Sequence, residues 1–326
     1  MMSQNTQKNR NRWSLFLKWA IALFALAFIY FQLRNSSRQD WWSAALLAFE
    51  EGGHLNYFFS AATLLLVNLS LEAIKWRVAL APVEDVRFSF ALRAVFSGLT
   101  VSVFTPNRIG EYAGRVFVLQ KADRITAILL TVIASFSQLV VTVIAGTIAA
   151  FHFSMEQASE WMALPFLVLL PVISLVVILF FIRIKWFKSL LIRIPFPSNW
   201  KNYFVAFEML GLSSLLRILL FAALRYVVFT FQFYLLLCFF GVEISYINAL
   251  TCIALVYLAM QVVPTITITE LGVRGSLAIA FFSVYTDALE EVVFASSLLW
   301  LINLILPALI GCLFVFKFNF FRKTAE

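Results

Sequence analysis

Two short stretches, TPNRIGEYAGR at 105–115 and PTITITELGVRG at 264–275, share one pattern and decide how the rest of the chain is interpreted. Each contains a proline and, further on, a glutamate that an arginine follows four residues later. Each lies directly after one strongly apolar segment and directly before another. Ionisable side chains at mid-depth in a bilayer cost about 2.5–3.5 kcal/mol or more each. Charges that recur in such a setting indicate a functional site.

The composition is that of a polytopic membrane protein. Of the 326 residues, 62% are hydrophobic and 13% are charged, and the mean hydropathy is +0.91. Such values exclude a soluble domain. The formal net charge of +8 does not indicate a nucleic-acid partner, because the basic residues cluster beside apolar runs, as topology signals do. The cysteines and histidines show no metal-ligand spacing, and no catalytic motif is present. We therefore expect no catalytic residue, metal or cofactor.

The apolar runs predict an all-α polytopic protein with about six transmembrane helices plus two re-entrant helical hairpins. A single membrane domain is expected over 14–318, between cytoplasmic tails at 1–13 and 319–326. Tryptophans in 34–53 indicate an interfacial helix, and a second interfacial stretch is expected over 203–217. The expected spans are 14–33, 56–76, 125–151, 161–182, 218–240 and 292–316.

Two apolar runs of 17 residues, 88–104 and 247–263, precede the two motifs. Each is marginal for a full crossing, which favours re-entrant hairpins over 88–121 and 247–286. If each hairpin leaves the membrane on the side where it entered, the six spans place both termini and the basic segment 183–201 on the same side. The excess of lysine and arginine there predicts that both termini are cytoplasmic. Full crossings would instead separate the basic segment from the C-terminus.

The two hairpins are expected to enter from opposite faces, because three spans separate them. This predicts an inverted-topology repeat, with repeat one over about 55–182 and repeat two over about 203–318. The hairpin tips should then meet near the midplane. Secondary transporters with broken helices have this architecture, and their half-helix N-termini face the substrate.

The chemistry of the motifs is suited to an anion. Each proline interrupts its helix, and a restarted helix directs free N–H groups and a partial positive charge into the loop. The planar guanidinium groups of Arg115 and Arg274 match phosphate or carboxylate, and Arg108 is a third candidate cation. Glu111 and Glu270 can pair with the arginine at i+4. The alternative is that these pairs are only buried structural bridges.

Other polar residues inside the apolar runs are weaker signals. Arg225 either lines the cavity or extends to the cytoplasmic surface. Gln138 and Asn303 either line the cavity or form hydrogen bonds between helices, and Glu72 can pair with Lys75. The candidate cavity-lining residues are Asn107, Gln138, Arg225 and Asn303.

The motifs resemble those of the flippase-like domain family, the transmembrane region of lysylphosphatidylglycerol synthases. That family has a first motif near P-x-R-x-G-E-x-x-R and a second near P-x-x-x-G-x-x-G-V-R-E. The final arginine of the first motif comes one residue later here, and Gly275 replaces the final glutamate of the second, with Glu270 standing before the arginine instead. The matching residues are Pro106, Arg108, Gly110, Glu111, Arg115, Pro264, Leu271, Gly272, Val273 and Arg274.

The resemblance extends over nearly the whole chain after the first span, and it implies a bacterial cytoplasmic (inner) membrane protein that moves lipid between leaflets. The family's aminoacyl-transferring domain follows the membrane region, whereas this sequence ends nine residues after Lys317. Synthesis of aminoacylated lipid is therefore not expected.

Our main hypothesis is a flippase or scramblase that binds an anionic headgroup, of a phospholipid or a polyprenyl-phosphate-linked sugar, between the hairpin tips. One alternative is an accessory protein or enzyme of envelope glycolipid synthesis, which would need an accessible glutamate as acid or base. Another is an ion- or proton-coupled transporter of small solutes. The sequence leaves open whether the chain forms a homo-oligomer.

Overall fold

The computed structural model describes residues 55–119, 121–157, 160–186, 203–263 and 267–315. Eleven α-helices form in these ranges, with no strand among them. The first predicted span, the interfacial helix at 34–53, both tails and most of the basic segment lie outside the described residues. The helices are α1 Leu55–Leu80, α2 Phe88–Ser102, α3 Gly110–Val116, α4 Arg124–Gln157, α5 Glu160–Ile182, α6 Ala206–Met209, α7 Leu212–Phe239, α8 Tyr246–Val262, α9 Thr267–Phe282, α10 Leu289–Trp300 and α11 Leu306–Val315.

The long helices confirm an all-α polytopic membrane protein. Within the described ranges, α1, α4, α7 and the continuous α10–α11 segment are long and apolar enough to cross a membrane. They correspond to the second, third, fifth and sixth spans expected from the sequence, and α5 corresponds to the fourth. Many of their large apolar side chains are exposed, such as Leu66, Val227 and Leu313. A lipid environment removes the cost that water would impose on such surfaces.

The stretch 203–217 is not the single amphipathic element that the sequence suggested. It is divided into a 3₁₀ turn at Tyr203–Val205, the short α6 and the start of α7. Gly211, with φ −73° and ψ 165°, separates α6 from α7. The long span α7 begins at Leu212, so Arg217 lies inside it and not in a separate interfacial helix.

Two pairs of shorter helices carry the motifs. Helix α2 packs against α3, and α8 packs against α9. At 1.5 Å per residue, α2, α8 and α9 are about 22–26 Å long, less than the hydrocarbon core of about 30 Å. The returning helices are unequal, because α3 has 7 residues and α9 has 16. The second motif is therefore helical over its described residues, from Thr267 onward, whereas the first combines a turn at 105–109 with the start of α3.

A π-helical turn at Leu301–Ile305 joins α10 to α11. Pro307 has no N–H group, so it cannot donate to the carbonyl of Asn303 four residues earlier. The Leu306 N–H instead donates to the carbonyl of Leu301, five residues back. The widened turn includes Asn303, which joins the polar network described below. π-helical turns are frequent at functional sites.

Helix α2 lies so close to α11 that only glycine fits at position 311. A Cβ there would collide with the Phe96 carbonyl and the Thr100 hydroxyl, and that hydroxyl donates to the Ala308 carbonyl at 2.7 Å. We expect Gly311→Ala to lower the free energy of unfolding by about 1–3 kcal/mol through overpacking.

Thermal unfolding of the purified protein in detergent measures this effect. Gly272→Ala is the matched control, because Gly272 is also helical and a Cβ there meets no atom within 4 Å. Alanine should leave that site unchanged or slightly stabilised. Equal unfolding temperatures for the two variants would contradict the tight packing of α2 on α11.

Candidate functional site

The break in the first motif is a strained turn at the start of the site. Asn107 and Arg108 have φ values of 49° and 57°, a left-handed conformation that costs non-glycine residues about 1–2 kcal/mol each. The first amide of α3, Gly110 N–H, donates to the Thr105 hydroxyl at 2.7 Å. This N–H therefore closes the turn and is not free to face a ligand. The strain is a mark of functional sites.

The turn brings Arg108 to the second motif. Its guanidinium holds the Glu270 carboxylate through both oxygens, with Nη2–Oε1 at 2.6 Å and Nε–Oε2 at 3.3 Å. Arg274 also donates to Glu270 Oε1, at 2.9 Å. The predicted Glu270–Arg274 pair is thus present, and Arg108 joins the two motifs through the same carboxylate. We call Arg108, Glu270 and Arg274 the Glu270 bridge.

A second cluster surrounds Glu72 of α1. Its Oε1 accepts from Arg115 Nη1 at 2.7 Å, and its Oε2 lies 2.8 Å from Lys75 Nζ and 2.7 Å from Arg225 Nη1. Arg115 also forms the predicted pair with Glu111. Glu72, Lys75 and Arg115 are all at most 2% exposed. We call Glu72, Lys75, Glu111, Arg115 and Arg225 the Glu72 network.

Side-chain amides connect this network to three spans. Arg225 Nε donates to Asn68 Oδ1 at 2.7 Å, and Asn68 Nδ2 donates to Asn303 Oδ1 at 2.9 Å. Asn303 Nδ2 donates to Gln232 Oε1 at 2.9 Å. Arg225 therefore turns into the protein and does not extend to the surface, and Asn303 forms the helix–helix hydrogen bonds that were one of its two expected roles.

A central cavity of about 320 Å³ collects these groups. It is lined by eight of the nine residues proposed from the sequence, and Glu270 instead lines an adjoining cavity of about 510 Å³ with Arg108 and Arg274. Apolar side chains such as Phe229, Met260 and Leu304 complete the wall. The eight residues are Asn107, Arg108, Glu111, Arg115, Gln138, Arg225, Arg274 and Asn303.

Hydrogen-bond donors remain unpartnered around this cavity. Within the described residues, no acceptor bonds Arg115 Nε, Arg274 Nε, Arg274 Nη1 or Trp300 Nε1, and the Tyr226 and Tyr257 hydroxyl groups have no partner. Gln138 Oε1 is the one unpartnered group on the wall that can only accept. All six of these residues line the central cavity. Buried donors without acceptors are costly, so the cavity is suited to an acceptor-rich ligand.

The cavity also has an excess of positive charge. The Glu72 network contains three basic and two acidic side chains, and the Glu270 bridge contains two basic and one acidic. Each cluster is therefore one positive charge in excess. In the part of the chain that the structure describes, no group of three His, Cys, Asp or Glu side chains is placed to hold a metal ion.

The central place of Glu72 and the contact between Arg108 and Glu270 were not predicted from the sequence, where Glu72 was expected only to pair with Lys75. A signal was present, because Asn68, Glu72 and Lys75 follow one another at i, i+4 and i+7 and thus share one face of α1. No comparable signal exists for a contact between residues 162 positions apart.

Comparison with family models gives one match over nearly the whole chain. The model of the lysylphosphatidylglycerol synthase transmembrane region matches residues 15–311. Comparison with curated proteins and with solved structures gives no match.

Proposed function

This chain belongs to the family of the lysylphosphatidylglycerol synthase transmembrane region, and on that premise we propose that it is a lipid transporter of flippase or scramblase type. The transported lipid has an anionic headgroup, which binds in the central cavity. Arg115 and Arg274 hold its phosphate, and Arg108 assists. The family name refers to a phospholipid, and the cavity favours the acidic part of such a headgroup.

One observation carries this proposal. Arginines from two motifs that lie far apart in the sequence, Arg115 and Arg274, line the same buried cavity. Each has at least one guanidinium N–H group with no acceptor in the described structure. Guanidinium groups bind phosphate through paired hydrogen bonds, which are stronger in a low-dielectric site. A volume of about 320 Å³ lies within the range of small-molecule sites.

The two helix pairs act in this proposal as re-entrant hairpins of an inverted-topology repeat. Their limbs are shorter than the hydrocarbon core, and residues beside both breaks line one cavity, Arg108 in the first pair and Gln261 in the second. Irregular backbone at membrane depth is tolerated where protein or a polar cavity surrounds it, and the turn at Asn107 meets this condition. The positive-inside pattern supports a topology with both termini in the cytoplasm, and the bacterial inner membrane is part of the proposal because the family resemblance implies it.

The carboxylates keep the arginines ready for the headgroup. Glu111 is bonded to Arg115, and Glu270 is bonded to both Arg108 and Arg274. An arriving phosphate can replace a carboxylate as the partner of an arginine. Binding then exchanges an arginine–carboxylate pair for an arginine–phosphate pair of similar strength, and release reverses the exchange. The same bonds count against a catalytic acid or base, which must be free to approach a reacting atom.

Leaflet translocation of a fluorescent acidic phospholipid in liposomes tests the proposal. We expect Arg115→Ala and Arg274→Ala, at equal amounts of folded protein, to lower the rate about tenfold to a hundredfold, since a hydrogen bond to a charged group contributes about 1.5–3 kcal/mol. Arg93→Ala is the control, because Arg93 is exposed on α2 and does not line the cavity. Wild-type rates from both cavity variants would refute the proposal.

A further inference from the structure

The charges and donors of the central cavity specify the headgroup further, if the proposed function is correct. We propose that the preferred lipid has two negative charges on phosphate, and that Tyr226, Tyr257 and Trp300 are specificity-determining donors for its oxygens. Both a dianionic phosphate monoester and a diphosphate diester, with one negative charge on each phosphate, have this chemistry. A phosphodiester such as phosphatidylglycerol has one negative charge and matches the cavity less well.

The two clusters of ionised side chains set the charge of the cavity wall. The Glu72 network and the Glu270 bridge are each one positive charge in excess. Both line the central cavity, the Glu72 network through residues such as Arg115 and the Glu270 bridge through Arg108 and Arg274. Unbalanced charge is costly away from water. A headgroup with two negative charges balances both clusters, whereas a single negative charge leaves one excess and a cationic aminoacyl group adds to it.

The unpartnered hydrogen-bond donors on the cavity wall are a second observation, separate from the charge. The unpartnered polar atoms on the cavity wall are guanidinium, indole and hydroxyl groups, against one amide oxygen on Gln138. The indole N–H group of Trp300 and the N–H groups of the two arginines can only donate, and the tyrosine hydroxyls donate as well. Water would require acceptors and donors in balance. The oxygens of an ionised phosphate group only accept, so a headgroup with several such oxygens fits this wall.

The two tyrosines are held in place for this role. Their rings pack edge to face, with centroids 6.1 Å apart and an interplanar angle of 83°. Tyr257 is 7% exposed, and its ring also packs against Phe229 and Phe233. Fixed hydroxyl groups lose little conformational freedom on binding. The two hydroxyl groups should therefore select for oxygen atoms of the ligand more strongly than mobile side chains would.

The test is isothermal titration of short-chain lipids to the full-length protein in detergent. The probes are phosphatidylcholine, phosphatidylglycerol and phosphatidic acid with matched acyl chains, and a diphosphate diester, a short polyprenyl diphosphate linked to a sugar. At pH 8 we expect the last two to bind about tenfold more tightly than phosphatidylglycerol. At pH 5 phosphatidic acid should lose most of this advantage, because a phosphate monoester has its second pKa near 6 and is then mainly a monoanion, whereas the diphosphate diester should keep it.

The outcomes separate this inference from the proposed function. Equal affinity for phosphatidylglycerol, phosphatidic acid and the diphosphate at pH 8 overturns the inference, and the proposed function survives if phosphatidylglycerol is still translocated. If no acidic lipid binds more tightly than phosphatidylcholine, both fail. A preference for phosphatidic acid over the diphosphate supports one phosphate carrying both charges, and the reverse preference supports two phosphates.

Tyrosine variants test the donors directly. Tyr226→Phe and Tyr257→Phe each remove one hydroxyl group and keep the ring, so the protein should remain folded. We expect each to weaken binding of the dianionic lipids about tenfold and to affect phosphatidylcholine little. Tyr234→Phe is the matched control, because Tyr234 is on the same helix as Tyr226 and does not line the cavity. Unchanged affinities in both cavity variants would overturn the role of the tyrosines.

Discussion

Replacing Glu72 with glutamine is expected to lower the free energy of unfolding by about 3–5 kcal/mol, the usual cost of removing one partner from a buried charge cluster. Three basic groups bond to this one carboxylate. Without its charge, Lys75, Arg115 and Arg225 are left together with only Glu111 to compensate them. Neutral glutamine has nearly the same shape, so the loss will come from charge and not from packing.

Thermal unfolding in detergent and the yield of folded protein measure this effect. Glu243→Gln is the control, because Glu243 lies in an exposed loop. The double variant Glu72→Gln with Lys75→Met should recover part of the loss, since one buried cation is then absent. If Glu72→Gln unfolds at the same temperature as the control, the Glu72 network is not what holds α1, α3 and α7 together.

Reversing the charge of Glu270 is expected to reduce lipid translocation to the level of protein-free vesicles. Glu270→Arg would leave Arg108 and Arg274 beside a third guanidinium group, in a site where Glu270 itself is 5% exposed. Like charges at such distances repel strongly in a low dielectric. The two motifs would then separate, and the cavity would lose the alignment of its arginines.

A charge swap distinguishes the loss of the ion pair between Arg108 and Glu270 from a general disruption of the site. The double variant Arg108→Glu with Glu270→Arg restores an acidic partner between the motifs and keeps the net charge, so we expect translocation to return to a measurable rate. Asp85→Arg is the control, because its pair with Arg77 is long, at 3.9 Å, and Asp85 is 90% exposed. A double variant as inactive as the single one would show that the Glu270 bridge does more than join the motifs by charge.

The arrangement of the site explains why both clusters contain carboxylates at all. Bare arginines in a buried cavity would be expensive, and a fully neutral cluster would attract no anion. Among the described residues, each cluster instead keeps one positive charge in excess. In the proposed function, this excess keeps the arginines ordered and still able to attract phosphate.

Local features of the site could be predicted from the sequence because they depend on near neighbours. The i,i+4 spacing placed Glu111 beside Arg115 and Glu270 beside Arg274, and both pairs are present. Proline and the length of the apolar runs predicted where helices break, and α2 and α8 do end before the motifs. The break between α6 and α7 within 203–217 was not predicted. Gly211 allows the extended backbone at this break but hardly alters the apolar pattern of the sequence.

The sequence by itself determined that this is an all-α membrane protein, where most spans lie, and that two motifs carry paired charges. Only the tertiary structure decided that Glu72 is the centre of three basic groups and that Arg108 bonds Glu270. It also decided that Asn68 meets Asn303, 235 residues away. The reason is physical: helical periodicity fixes which side chains are neighbours on one helix. The rotation and depth of each helix, which decide contacts between helices, are set by packing of the whole bundle.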